Sequence, residues 1–305
     1  MIGYISVILS GCPADENNIP IILVHGFSSD QTTFDAMISR IQQDFPNRKV
    51  FAAKIMFYKF SSIFTGFSRY IRGVATAIHI AANGAECIDL IGHSQGALVS
   101  RAYTQLYSGD HDNYYPEVRK LVSLSGVQGG FFCDQQNYKF KNKFVNAFIP
   151  LLKIPYIAYS DFAQHRITIA GVWRDPYHYK DLYQKQCGIL AQINGECTDQ
   201  NQPTGKERFI KLTKFYTFYS NIDEIVLPAT AGNFAMYEPE TGNYLDIMNN
   251  PIFLNDNFGL KTLYDEGKWK TCRVDILHGE FIQQEAFYNN YIKMVLQSDD
   301  GFVCL

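Results

Sequence analysis

The sequence has no unbroken apolar stretch of 18 residues, so it offers no segment long and apolar enough to cross a bilayer as a helix. It has no run of lysine or arginine and a net charge of −3, which gives nucleic acid and anionic membranes no electrostatic footing. None of its seven cysteines stands in a C-x-x-C pair, and no His/Cys group has zinc-ligand spacing, so no metal is expected. There is no N-x-[ST] sequon, so N-glycosylation is not expected. Internal repeats and low-complexity segments are also missing, which sets aside solenoid and disordered architectures.

What is present is apolar. Of 305 residues, 47% are hydrophobic and 15% aromatic, with 23 Phe and 20 Tyr, enough for one large domain or for a domain with a sizeable insertion. The aromatic content fits a well-filled core or an apolar groove. Residues 1–13 read as a short secretory signal peptide, apolar through Leu9 and small at Ser10, Gly11 and Cys12. The other readings are lipid attachment at Cys12 and an extra strand of the mature fold. Setting Cys12 aside leaves six cysteines, an even number that fits disulfides in an oxidising compartment. Cys187–Cys197 and Cys272–Cys304 are the preferred pairs.

The body of the chain alternates strands and helices. "IPIILVHGF" reads as a central strand buried on both faces, followed by a helix over "QTTFDAMISRIQQDF". Then come the strand "KVFAAKIMF", the helix "FSRYIRGVATAIHIAANG" closed by Gly84, the strand "CIDLIG", the helix "QGALVSRAYTQLY" and the strand "KLVSLSG". After an irregular stretch, "KERFIKL", "KFYTFYS", "FGLKTLYDEG", "KTCRVDIL" and "EFIQQEAFYNNYIKMVLQ" give helix, strand, helix, strand and closing helix. This order with short connections predicts an α/β fold with a mostly parallel central sheet and helices on both faces. Residues 14–305 form a single domain on this reading, with an inserted cap at about 128–206.

One motif carries chemistry. G-x-S-x-G around Ser94 would arise by chance in roughly one chain in ten of this length. Here it stands between a strand and a helix, the setting of an α/β-hydrolase nucleophile, where small residues two before and two after let strand and helix approach closely. A serine needs a histidine base oriented by a carboxylate, in the chain order Ser, acid, His. Of His111, His165, His178 and His278, only His278 directly follows a late strand. Asp223, just beyond "KFYTFYS", is the favoured acid; Glu224 is its adjacent rival, and Asp246 and Asp275 are more distant ones. Backbone N–H groups of Phe27 and Gln95 are expected to form the oxyanion hole. His25 is read as a structural residue of that loop.

The chain resembles the palmitoyl-protein thioesterases, and their second, lysosomal branch more than the first. The likeness runs from about residue 19 to residue 292. It is carried by "IILVHGF", "IGHSQGALVSRA", "VWRDPYHYKDLY" followed by "LAQINGE", then "NIDEIVLP", "NFAMYEP" and "FGLKTLYDEG". Matched position by position, the resemblance implies nucleophile Ser94, acid Asp223, base His278 and oxyanion donors Phe27 and Gln95, in agreement with the residues read above. It implies a thioesterase that cleaves S-palmitoyl cysteine or acyl-CoA with no metal or organic cofactor, lysosomal or secreted, with oligomeric state open. A lipase or carboxylesterase acting on oxygen esters and a catalytically silent lipid binder are the other two readings.

Overall fold

β1 (Ile21–Val24) is buried at every residue, and its side chains divide between two cores. Ile22 and Val24 pack into one, Ile21 and Leu23 into the other. A strand covered on both faces has no polar side to present, which is why its sequence is a continuous apolar run. The computed structural model describes residues 12–13, 15–55, 63–133, 143–297 and 302–304.

β2 (Val50–Ala52), β3 (Cys87–His93), β4 (Glu117–Leu124) and β5 (Lys214–Tyr219) join β1 in the central sheet. A small antiparallel hairpin, β6 (Met236–Tyr237) and β7 (Tyr244–Leu245), stands apart from it. β8 (Trp269–Arg273) completes the sheet in the order β2-β1-β3-β4-β5-β8, with all pairs parallel. One face packs on α2 (Phe67–Ala82) and α3 (Gln95–Leu106), through Tyr70, Val74, Ile78, Leu98 and Val99. The other packs on α1 (Asp35–Asp44) and the C-terminal helices, through Met37, Ile41, Ile292 and Val295. α2 ends as its sequence implies: Asn83 takes a left-handed conformation and Gly84 follows at φ 82°. β2 is shorter than its sequence implies: it ends at Ala52, Ala53, Lys54 and Ile55 lie beyond the strand, and Met56 and Phe57 lie outside the described residues.

Between β4 and β5, residues 128–206 add no strand to the sheet among the described residues. They form short helices, among them Lys143–Leu152, Asp161–Arg166 and Ile189–Asn194. This segment lies against α2. Gly66 donates its N–H to the His165 carbonyl at 3.1 Å. Gly171 sits where a Cβ would come 2.3 Å from that of Phe67.

Two further sequence expectations differ from the structure. The closing helix over 280–297 is broken: Gln284 is extended (φ −74°, ψ 121°) between Glu280–Gln283 and Glu285–Phe287, and a π-turn follows at Tyr288–Ile292. The cause is the apolar spacing. Phe281 and Ile282 stand six residues before Phe287 and Tyr288, about 120° out of phase on one helix; the break lets both pairs reach the core. The second difference concerns cysteine. Cys187–Cys197 and Cys272–Cys304 are bonded as expected, but Cys12, set aside with the leader, bonds Cys87 at the start of β3, and Cys133 is a buried thiol. The leader reading itself falls on residues outside those described, except Cys12 and Pro13.

Candidate active site

β3 passes into α3 through Ser94, whose backbone (φ 59°, ψ −130°) lies where side-chain-bearing residues rarely go. Its neighbours make that turn possible. A Cβ on Gly92 would lie 2.5 Å from Ala97 Cα, and one on Gly96 would lie 2.2 Å from the Val24 carbonyl oxygen. Both glycines are required by close backbone approach, which is the physical content of the G-x-S-x-G motif. Gly26, on the loop after β1, comes as near from the other side: a Cβ there would be 2.8 Å from that of Ser94.

The loops after β5 and β8 bring Asp223 and His278 together. His278 Nδ1 donates to Asp223 Oδ2 at 2.8 Å, which leaves Nε2 as the ring's proton-accepting nitrogen. The other carboxyl oxygen, Oδ1, accepts the N–H groups of Ile225 and Val226 at 2.8 and 2.9 Å. Burial alone would raise the Asp223 carboxyl, but the hydrogen bond and charge of His278, with the hydrogen bonds from Ser125 and the Val226 N–H, hold it below its ordinary value. Glu224 also meets His278, at the backbone: its Oε2 accepts the His278 N–H at 3.0 Å. The more distant acids are engaged elsewhere. Asp246 caps the turn Ile247–Asn249, and Asp275 accepts the Asn221 N–H. His165 and His178 bond Asp161 and Asp181 within the 128–206 segment.

Ser94, His278, Phe27 and Gln95 line one cavity of about 260 Å³, whose wall continues through Val127, Phe131, Ile169 and Val172. Gln95 is the first residue of α3, so its N–H is one of the helix's unpaired N-terminal donors. The Phe27 N–H donates to no protein group among the described residues. His25 holds this loop, its Nδ1 donating to the Gly26 carbonyl at 3.1 Å, and burial lowers its pKa. Such an arrangement can deliver an activated hydroxyl to an acyl carbonyl beside an apolar chamber.

Two residues that sequence reasoning did not single out complete the surroundings. Ser125 donates its hydroxyl to Asp223 Oδ2, and His93 Nε2 donates to the His278 carbonyl at 3.0 Å. No local pattern marks Ser125. His93 could be noticed only as the residue preceding Ser94. The two long motifs of the irregular segment also meet. Arg174 of "VWRDP" and Glu196 of "INGE" form a buried ion pair at 2.7 Å, with Glu196 also accepting from Tyr179, Tyr183 and Asn194.

The chain is similar to known proteins along most of its length. Residues 20–278 match the family model described as palmitoyl protein thioesterase. The chain is similar to Palmitoyl-protein thioesterase 3 of Dictyostelium discoideum, 30% identical over 252 residues, covering 82% of this chain and 81% of the relative. It is 26% identical to Lysosomal thioesterase PPT2-B of Xenopus laevis over 90% of this chain and 91% of that one. It is also 26% identical to Lysosomal thioesterase PPT2 of Homo sapiens, over 96% and 93%. Among solved structures it is similar to MenH from S. aureus (TM-score 0.43, 14% identity, 95% and 98% covered). The product of the gene lin2722 from Listeria innocua gives a TM-score of 0.46 at 13% identity, with 89% and 91% covered.

Proposed function

The chain belongs to the palmitoyl protein thioesterase family, and from that premise we propose that it hydrolyses fatty-acyl thioesters, S-palmitoyl cysteine in peptides or acyl-CoA, through Ser94, His278 and Asp223. Ser94 Oγ attacks the thioester carbonyl while His278 Nε2 takes its proton. Asp223, bonded to Nδ1, fixes the ring's tautomer and stabilises the imidazolium. The N–H groups of Phe27 and Gln95 receive the oxyanion. The C–S bond then breaks, and the thiol leaves with the proton from His278. Water, deprotonated by the same nitrogen, attacks the acyl-enzyme and releases the fatty acid and Ser94. No metal or organic cofactor enters these steps.

The observation that carries this reading is the shared cavity, lined both by Ser94, His278, Phe27 and Gln95 and by the apolar side chains of Val127, Phe131, Ile169 and Val172. That wall suits an alkyl chain, since each methylene moved out of water contributes about 0.8 kcal/mol. Phe131, Ile169 and Val172 of the wall belong to the 128–206 segment, which supports its reading as an acyl-binding cap. The lysosomal names of several relatives, together with three cystines, support a lysosomal or secreted location. Any leader would then end before Cys12.

Rates on a matched acyl thioester and oxygen ester test the proposal. A higher kcat/KM on the oxygen ester would move it to a carboxylesterase or lipase. Failure of Ser94 to react with a fluorophosphonate probe would leave a silent lipid binder.

A further inference from the structure

Ser125 stands at the carboxyl end of β4, between the nucleophile's strand and the loop that carries Asp223. It is buried, and its backbone is at φ 43°, a left-handed conformation strained for any residue with a side chain. Glycine would adopt it freely. The hydroxyl that occupies this place makes two contacts: it donates to Asp223 Oδ2 and lies 3.2 Å from His278 Nδ1. Oδ2 is the oxygen that accepts the imidazole N–H, so serine, carboxylate and ring meet at one point. With the two backbone donors on Oδ1, the carboxylate has four hydrogen-bond partners in a side chain with no solvent exposure.

We propose that Ser125 is a positioning residue of this site, its hydroxyl fixing the Asp223 carboxylate against His278 so that the pair stays competent as the pH falls. The inference rests on the triad reading given above. Without the hydroxyl, Oδ2 keeps only His278 as donor, and water does not reach it to substitute. A proton then binds the Asp223–His278 pair more readily, whether it settles on the carboxyl or stays on the ring, and both make the pair inactive at a higher pH. The His93 ring lies 4.7 Å from His278 and is kept neutral by burial, its pKa lowered to about 3. Glu224 accepts the His278 N–H, and Glu280 accepts the Leu277 N–H at 2.6 Å.

The test is kcat/KM on an acyl thioester from pH 4.5 to 8.5 for Ser125→Ala and Ser125→Gly. Ala removes the hydroxyl alone; Gly removes the hydroxyl and the backbone strain. Both should move the acidic limb up by about one pH unit, the size of one charge-assisted hydrogen bond, with about tenfold more activity lost at pH 5 than at pH 8. A ratio to wild type that does not change with pH overturns the proposal. So does a shift in Ser125→Ala that Ser125→Gly lacks, because the backbone would then be its cause. Ser94→Ala is measured alongside. If it stays active, the triad reading falls; if it is inert while the Ser125 profiles are unshifted, only the role of Ser125 falls.

Discussion

Glu224 and His278 are joined through the histidine's backbone: the Glu224 carboxylate accepts the His278 N–H at 3.0 Å, while Asp223, one residue earlier, takes the ring. Adjacent loop side chains point in different directions, and here both directions lead to the same histidine. The division of labour has different consequences for the two acids. Asp223→Asn should keep the fold and lower kcat by roughly 10⁴-fold, since the amide favours the wrong imidazole tautomer. Glu224→Gln should lose only a few-fold, because its amide oxygen still accepts the backbone N–H. Glu224→Ala, which removes the acceptor, should lose more than Glu224→Gln. An inert Glu224→Gln beside an active Asp223→Asn would exchange the two roles.

The proposed nucleophile and base should act as a unit. Ser94→Ala and His278→Ala are each expected to lower kcat by roughly 10⁴-fold or more, with the double variant little worse than either. Single-turnover acylation measures this directly. A Ser94→Ala protein that keeps a tenth of wild-type turnover would remove Ser94 from the mechanism.

How much of this was legible from the residues alone depends on whether the signal was local. β1 was readable because burial on both faces leaves Ile21 through Val24 no polar position. Ser94 was readable because its two flanking glycines are forced by contacts within the strand–turn–helix unit. His278 followed from chain order and from its place after the last strand. Ser125 was not readable, because its partners lie 98 and 153 residues away and its own surroundings look like any strand end. The break at Gln284 was missed for another reason: the periodicity on either side of it is helical, and only the phase between the two halves reveals it. Cys12 was left out of the expected pairs because a signal-like sequence says nothing of a bond to residue 87.

The pair Arg174–Glu196 makes the two long motifs one energetic unit. Arg174 is buried, bonds Glu196 and the Tyr237 carbonyl, and lies over the rings of Tyr179 and Tyr183. Removing one charge strands the other in a medium that cannot solvate it, at a cost of about 3–5 kcal/mol. Arg174→Met and Glu196→Gln should therefore each lower the urea midpoint strongly, and the double variant should be more stable than the sum of the two predicts. Strict additivity would mean that the residues do not act as a pair.

Non-reducing peptide mapping gives a further check. Cys12 should be recovered linked to Cys87, and Cys133 should be alkylated only after denaturation, since its thiol is buried. A mature chain beginning at Pro13 or later would lack that bond and leave Cys87 reactive.

The last expectation concerns acid. His93 is buried and donates Nε2–H to the His278 carbonyl, and burial with the nearby His278 lowers its pKa to about 3, against about 6.5 when unfolded. Between these values the unfolded chain binds a proton that the folded one refuses, so this group favours unfolding increasingly as pH falls below 6.5. At pH 5 the cost is about 2 kcal/mol relative to neutral pH. Asp223 acts in the opposite range: its lowered carboxyl contributes stability at and above the ordinary carboxylate pKa, lost only as pH falls through its lower folded value. Urea unfolding at pH 7.5 and pH 5 should show the wild type weakening over this interval. His93→Asn, less stable throughout because a buried contact is lost, should weaken about 2 kcal/mol less between the two pH values. If the two proteins lose stability in parallel, the loss has another source and His93 is not the group that titrates.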